Sequence, residues 1–139
     1  ALPFETLPVG RGRRLREGRD VALVTVGTVG NAAARAAEHA AAQGVEAAHY
    51  DLRWVKPLDT ELLDEVGRTF RRVITVEDGC LRGGVGEAVA AYFNARGYDA
   101  HVTCLGIGDA WVEHGTPEQL HALCGYDEES IFRALTQPV

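Results

Sequence analysis

The residues best placed to do chemistry lie in one stretch, Val73-Ile-Thr-Val-Glu77-Asp78-Gly79-Cys80-Leu-Arg82-Gly83-Gly84-Val85-Gly86-Glu87-Ala-Val89. It passes from an apolar β-branched run, through an acidic glycine-rich turn, into an amphipathic helical pattern. Gly79, Gly83, Gly84 and Gly86 mark a backbone that needs φ > 0 or close approach by a neighbour. Strand–turn–helix joints of this kind sit at the carboxyl edge of parallel sheets, where α/β proteins hold ligands. A phosphate cradle would be the obvious chemistry. A Walker loop, however, needs Lys-Ser or Lys-Thr after its last glycine, and Gly86 is followed by Glu87. Gly84-x-Gly86-x-x-Val89 lacks the third small residue of a dinucleotide fingerprint. Glu77, Asp78 and Glu87 also bring negative charge to the helix end that should attract a phosphate. A structural turn that packs a helix closely on its sheet fits these residues better.

Other constellations are weaker. His114, His121 and Cys124 could form a zinc site only across a helix start, with no tight ligand pair to anchor it. Ser130 is the only serine and no Gly-x-Ser-x-Gly occurs, which excludes a serine hydrolase of that type. Asp51-x-Arg53-x-x-Lys56-Pro57-Leu58-Asp59 contains the only lysine of the chain. Its charges are either solvated loop residues or an ion-pair or anion site at a strand end.

Secondary-structure patterns say how these groups are positioned. Val9 to Arg19 carries five arginines between glycines and reads as a short edge strand whose charges discourage edge-to-edge pairing. A nucleic-acid arm is the alternative, without interleaved aromatics to support it. Val21–Val26, Glu46–Asp51, Arg72–Val76 and Ala100–Leu105 read as buried strands. Between them lie an alanine-rich helix capped by Asn31 and ended at Gly44, and a helix capped by Asp59 with Leu62, Leu63, Val66 and Phe70 on one face. The helix after the glycine turn carries Val85, Val89, Tyr92 and Phe93 and closes at Gly97. Thr116-Pro117-Glu118-Gln119 is a capping box with proline at the first helical position, and Asp127 opens a last helix with Ile131 and Leu135 inward. His39 and His121 are expected on helix surfaces, His49 and His101 flanking strands. Alternating strands and helices predict an α/β fold on a mostly parallel sheet. Strand ends at Gly27, Asp51, Glu77 and Gly106 should then gather Thr28, Arg53, Lys56, Glu77, Asp78 and His114 on one polar rim. In a domain that belongs to a longer chain, such a rim is the expected inter-domain surface.

With 139 residues and an apolar share of 46%, the chain can build one core without disulfides or metal. Cys80, Cys104 and Cys124 have no C-x-x-C spacing and are expected as free thiols of a reducing compartment, the cytoplasm. No apolar run approaches a membrane span. A net charge of −6 argues against nucleic acid as the main partner. There is no methionine, even at position 1, so a piece of a longer or processed chain is expected. Residues 1–8, with two prolines, read as a linker and residues 9–139 as the domain.

Tyr50-Asp-Leu-Arg-Trp-Val-Lys-Pro-Leu-Asp59 resembles the D-x-R-x-x-K-P-x-D segment in the last domain of the 1-deoxy-D-xylulose-5-phosphate synthases. Val73 to Gly79, followed by Gly83-Gly84-Val85-Gly86, is similar to that family's V-T-V-E-(E/D)…G-G-x-G turn. Ile107-Gly108-Asp109-Ala-Trp111-Val-Glu-His114-Gly115 resembles its G-(hydrophobic)-P-D-x-F…H-G stretch, with Gly108 replacing proline and Trp111 replacing phenylalanine. Leu7 to Gly18 and Gly125-Tyr126-Asp127 extend the match over almost the whole chain. Singly, each motif is shared with transketolases and the beta subunits of 2-oxoacid dehydrogenases. The resemblance implies a transketolase C-terminal-type domain: a three-layer α/β/α sandwich on a five-stranded mixed sheet of order 1-3-2-4-5, its first strand antiparallel. It also implies an intact homodimeric enzyme that joins pyruvate to glyceraldehyde 3-phosphate with thiamine diphosphate and magnesium. The Gly-Asp-Gly…Asn segment that would hold magnesium and diphosphate is absent here, as is the upstream domain carrying the cofactor-activating glutamate. No catalytic, cofactor or metal residue is therefore expected in this chain, which alone should be inactive, with the upstream catalytic domains as its partners. The C-terminal domain of a 2-oxoacid dehydrogenase beta subunit is the alternative, and a nucleic-acid-binding α/β module a more distant one.

Overall fold

The computed structural model describes residues 4–137; the first three residues of the expected linker lie outside them. Ten elements follow in order: β1 (Arg13–Arg16), β2 (Val21–Val26), α1 (Gly30–Ala42), β3 (Ala47–Asp51), α2 (Thr60–Thr69), β4 (Arg72–Cys80), α3 (Val85–Arg96), β5 (His101–Ile107), α4 (Pro117–Cys124) and α5 (Glu128–Thr136). One five-stranded sheet has the order β1-β3-β2-β4-β5, with β1 antiparallel to β3 and every other pair parallel. The α/β sandwich and strand order expected from the sequence are the ones observed.

Each face of the sheet carries its own core. On one, α1 and α5 pack Ala33, Ala36, Ala37, Ile131 and Leu135 against Val21, Leu23 and Ile74. The alanines have almost no side chain to hold the backbones apart, so α1 lies close to both α5 and the strands. On the other face α2 and α3 bury Leu63, Val66, Val89 and Phe93 against Val24, Tyr50 and Val73. Burying each such aliphatic side chain stabilises the fold by roughly 1.5–3 kcal/mol. Asp64 clamps α2 to α3, accepting hydrogen bonds from the Tyr92 and Tyr98 hydroxyls at 2.8 Å each and from Arg96 Nη2 at 2.7 Å. Arg96 first, then the two tyrosines, hold its carboxyl well below the usual range. Arg72 closes the carboxyl end of α5, donating to the carbonyls of Leu135 (2.9 Å), Ala134 and Gln137 (2.8 Å).

The five arginines at the start belong to this architecture. Arg13 meets Asp51 at 3.1 Å, Arg14 meets Glu17 and Glu65, Arg16 meets Glu46 at 3.1 Å, and Arg19 lies 3.8 Å from Asp20. Arg11 reaches Glu61 at 2.5 Å and Asp59 at 3.5 Å. Every one has a carboxylate partner, so the stretch rivets the edge strand to β3 and α2 and presents no row of free cations. Asp59 joins the same seam, accepting from the Leu62 amide as helix cap and from the Gly12 amide of the incoming chain.

Four sequence expectations need correction. Helix α1 is not capped by Asn31: it starts at Gly30 with Val29 in the cap position, and no side chain bonds its first turn. The carbonyls of Gly27 and Thr28 take the amides of Gly30 and Asn31 instead. Strand β4 does not stop at Val76 but continues through Glu77, Asp78 and Gly79 to Cys80, with a register irregularity after Val76. Likewise β5 runs past Gly106 to Ile107. His49 does not flank a strand; it sits inside β3, 1% exposed.

Candidate functional site

The carboxyl end of β4 and the start of α3 form one unit. Glu77 is 6% exposed, and its two carboxylate oxygens accept from the amides of Val85 and Gly86, each at 2.9 Å. Helix α3 has no side chain of its own at the cap, since Gly84 occupies that position. The strand supplies the cap instead, placing a negative charge at the positive end of the helix dipole. Glu87 adds a second carboxylate contact, accepting from the Gly83 amide at 2.8 Å.

The glycines of the turn follow from this arrangement. Gly83 has φ +70°, the left-handed region. At Gly84 a Cβ would lie 2.3 Å from the Cys80 carbonyl oxygen and 2.6 Å from Glu77 Oε1. At Gly86 it would lie 2.6 Å from Thr75 Oγ1 and 2.7 Å from Cys104 Sγ. Gly79 is roomier, its nearest neighbour being Glu77 Oε2 at 3.3 Å. The unit is a strand-borne carboxylate threaded under a helix N-terminus, and the glycines leave the passage open. A phosphate brought to this end would meet both Glu77 and Glu87. Replacing Glu77 by glutamine keeps one acceptor but loses the charge and sets an NH₂ group against an amide. We expect Glu77→Gln to cost about 1–2 kcal/mol in urea unfolding at neutral pH. Unchanged stability would mean that the amides of Val85 and Gly86 do not depend on this carboxylate.

The residues expected on a polar rim are placed unequally. Thr28 and Lys56 are exposed in the segments after β2 and β3, and His114 is exposed in the stretch after β5. Arg53 has φ +56°, its amide donates to Asp51 Oδ1 at 3.0 Å, and its side chain lies 4.0 Å from Asp51 Oδ2. Glu77, by contrast, is not at a solvent-facing rim; it is buried under α3 because two helix amides need it. Asp78, next in the strand, points the other way. Its Oδ1 accepts from the Tyr126 hydroxyl at 2.8 Å, and its Oδ2 lies 3.6 Å from His121 Nε2. The His121 and Tyr126 rings are 4.8 Å apart. Burial first, then the Asp78 bond, pushes the Tyr126 hydroxyl above its ordinary range.

Sequence reasoning missed this Asp78–His121–Tyr126 contact, because its members come from β4, α4 and the loop before α5. The only signal was the (hydrophobic)-Asp pair at Tyr126-Asp127, which shows the Asp127 cap but not where the tyrosine goes. The three border a hollow of 270 Å³ walled by Ile107, Val112 and Leu120. Cys124 also lines it, whereas His114 does not. Among the described residues, no three His, Cys, Asp or Glu side chains come together as a metal site. Nor is any helix among them long and apolar enough to cross a membrane.

Comparison with known proteins agrees with this architecture. Residues 10–131 match the family described as Transketolase, C-terminal domain. The 1-deoxy-D-xylulose-5-phosphate synthase of Bacteroides fragilis is 48% identical over 136 residues, covering 97% of this chain and 21% of that protein. The synthase of Carboxydothermus hydrogenoformans is 42% identical over 94% of this chain and 21% of its own length. This chain thus spans about a fifth of these relatives. A solved split-gene transketolase, described as an inactive beta4 tetramer, superimposes with a TM-score of 0.86 at 34% identity, over 93% of this chain and 42% of that one. With the family matched from ahead of β1 into α5 and the fold reproduced, the chain belongs to the transketolase C-terminal domain family.

Proposed function

We propose that this chain is the C-terminal domain of a thiamine diphosphate-dependent 1-deoxy-D-xylulose-5-phosphate synthase, with a structural and assembly role. That cytoplasmic transferase would convert pyruvate and glyceraldehyde 3-phosphate to 1-deoxy-D-xylulose 5-phosphate and carbon dioxide for isoprenoid synthesis. The observation that carries the proposal is the 48% identity to a synthase along 97% of the chain, confined to 21% of that protein. The cofactor's groups do not fit the residues present. The glycine-rich helix N-terminus, where a diphosphate could dock, is already filled by the Glu77 carboxylate. Magnesium needs several oxygen ligands in near-octahedral array, and the nearby carboxylates Glu77 and Asp78 are committed to amides and to Tyr126. The domain would therefore hold no cofactor and would buttress the domains that do. Thr28, Arg53, Lys56, Asp78 and His114 lie within the last residues of parallel strands or in the segments that follow them, a polar set of the composition that inter-domain contacts have.

One two-armed experiment tests this. The corresponding segment of the Bacteroides fragilis synthase is replaced by this chain, and product formation from pyruvate and glyceraldehyde 3-phosphate is assayed. An active chimera is expected; a folded chimera without product would overturn membership of a synthase. In the second arm the isolated chain is titrated calorimetrically with magnesium and thiamine diphosphate. No saturable heat is expected, and a micromolar binding curve would overturn the assembly role.

A further inference from the structure

The carboxyl ends of β4 and β5 open onto the 270 Å³ hollow beside Asp78, His121 and Tyr126. Parallel sheets hold ligands at this end of their strands. Ile107 from the end of β5, Val112 from the loop after it, and Pro117 and Leu120 from α4 give the hollow apolar walls. Helix α4 buries none of its residues. A fully packed helix hides its apolar stripe, whereas Leu120 stays partly exposed beside the hollow. The acidic side is equally unpartnered. Asp78 and Glu113 line the hollow, and no Lys or Arg does. Two other hollows contain both members of an ion pair, Arg82 with Asp109 and Arg11 with Glu61. Here Asp78 is met only by His121, at 3.6 Å, and Glu113 is exposed in the loop. Tyr126 occupies Asp78 Oδ1, while Oδ2 accepts no hydrogen bond from the described residues.

From this hollow we propose a binding site for a small organic ammonium ion with an apolar body, an alkylammonium. The ammonium group donates to the open Asp78 Oδ2, a charge-assisted hydrogen bond that a neutral donor does not match. Glu113 adds attraction from the loop side. The alkyl body lies against Val112, Pro117 and Leu120 and takes their apolar surface out of water. Size agrees with this. A cavity of about 150 Å³ already holds a benzene ring, so this larger one admits a chain of several carbons. The one-sided charge sets the sign of the ligand. A carboxylate or phosphate there faces Asp78 and Glu113 with no Lys or Arg to offset them. An uncharged chain of the same length shields Oδ2 from water without pairing it. The proposal does not rest on the chain's place in a synthase, since it uses only the strand ends, the loop after β5 and α4.

Titration with hexylammonium at pH 7, followed by calorimetry and amide NMR, tests it, with hexanol and hexanoate as controls of matched length. Salt at about 0.15 M screens long-range attraction to the net charge of −6. Saturable binding of hexylammonium with a Kd below about 1 mM is expected, with the largest amide shifts at Val112, Leu120 and Cys124. Hexanol and hexanoate should bind at least about tenfold more weakly, the loss of one charged hydrogen bond. Asp78→Asn should weaken hexylammonium by a similar factor. Should that variant fail to fold because Tyr126 depends on the carboxylate, Leu120→Asn takes its place, with a severalfold loss expected. Weaker or unsaturable binding of hexylammonium overturns the proposal. So does equal affinity for hexanol, a set of shifts away from the hollow, or a folded variant of either kind that binds as well as the parent.

Discussion

Gly86→Val is expected to destabilise the domain by about 3 kcal/mol or more, whereas Gly83→Ala should cost only about 1 kcal/mol. The difference is one of surroundings. Gly83 carries the positive φ, but nothing lies within 4 Å of the Cβ it lacks, so alanine there meets only backbone strain. Gly86 has ordinary backbone, yet its missing Cβ points between β4 and β5. Thr75 Oγ1 would be 2.6 Å away, Cys104 Sγ 2.7 Å and Cys104 Cβ 2.9 Å. Those atoms belong to the two strands on which α3 rests, and they can retreat only if the helix lifts. Lifting it would also pull the Val85 and Gly86 amides off the Glu77 carboxylate, so packing and capping fail together. Urea unfolding of both variants checks this. A Gly86→Val protein within 1 kcal/mol of the parent would mean that α3 is not seated where the Glu77 cap requires.

What the sequence reveals of this unit, and what it hides, divides by the range of the interaction. The caps at Asp59, Thr116 and Asp127 are legible because each bonds an amide three residues on, Leu62, Gln119 and Ser130. The closures at Gly97 and Gly125 are equally local, both having left-handed backbone. Glu77 is illegible by such rules, because its partners lie eight and nine residues downstream, across a turn. A carboxylate beside Asp78 and Gly79 looks like part of a solvated turn, and only the closed loop shows that it is interior. The arginine-rich start is legible as a guarded edge strand. Its pairing with Glu46, Asp51 and Glu65 depends on strand order, which came from the family resemblance and not from periodicity. The Asp78–His121–Tyr126 contact unites three elements and leaves no spacing signature at all.

His49 is the other long-range feature, and it makes stability depend on pH. It sits in β3 with its Nε2 2.9 Å from Thr25 Oγ1. That hydroxyl faces the Tyr50 carbonyl at 3.4 Å, so the Thr25 proton is directed there and Nε2–H is the donor to Thr25. Burial in the β2–β3 interior keeps this imidazole neutral at pH 7. Burial, partly offset by Asp51 and reinforced by Arg13, lowers its pKa from the ordinary 6.5 to about 4. Between those two values the unfolded chain binds a proton that the folded chain refuses, so stability rises with pH across that window and falls on acidification. The contribution is fully present above pH 6.5 and is lost as the pH drops toward 4, amounting to about 3 kcal/mol. Carboxyls held low in the fold, such as those of Asp64 and Asp127, lose their contributions at more acid pH, mostly below about 4. His49→Gln separates the two effects, since glutamine can still donate to Thr25 but does not titrate. Urea unfolding at pH 7, 5.5 and 4.5 should show the parent losing markedly more stability than the variant across that span. Parallel losses in the two proteins would mean that His49 takes up its proton within the fold at little cost, and that the β2–β3 interior is wetter than its geometry implies.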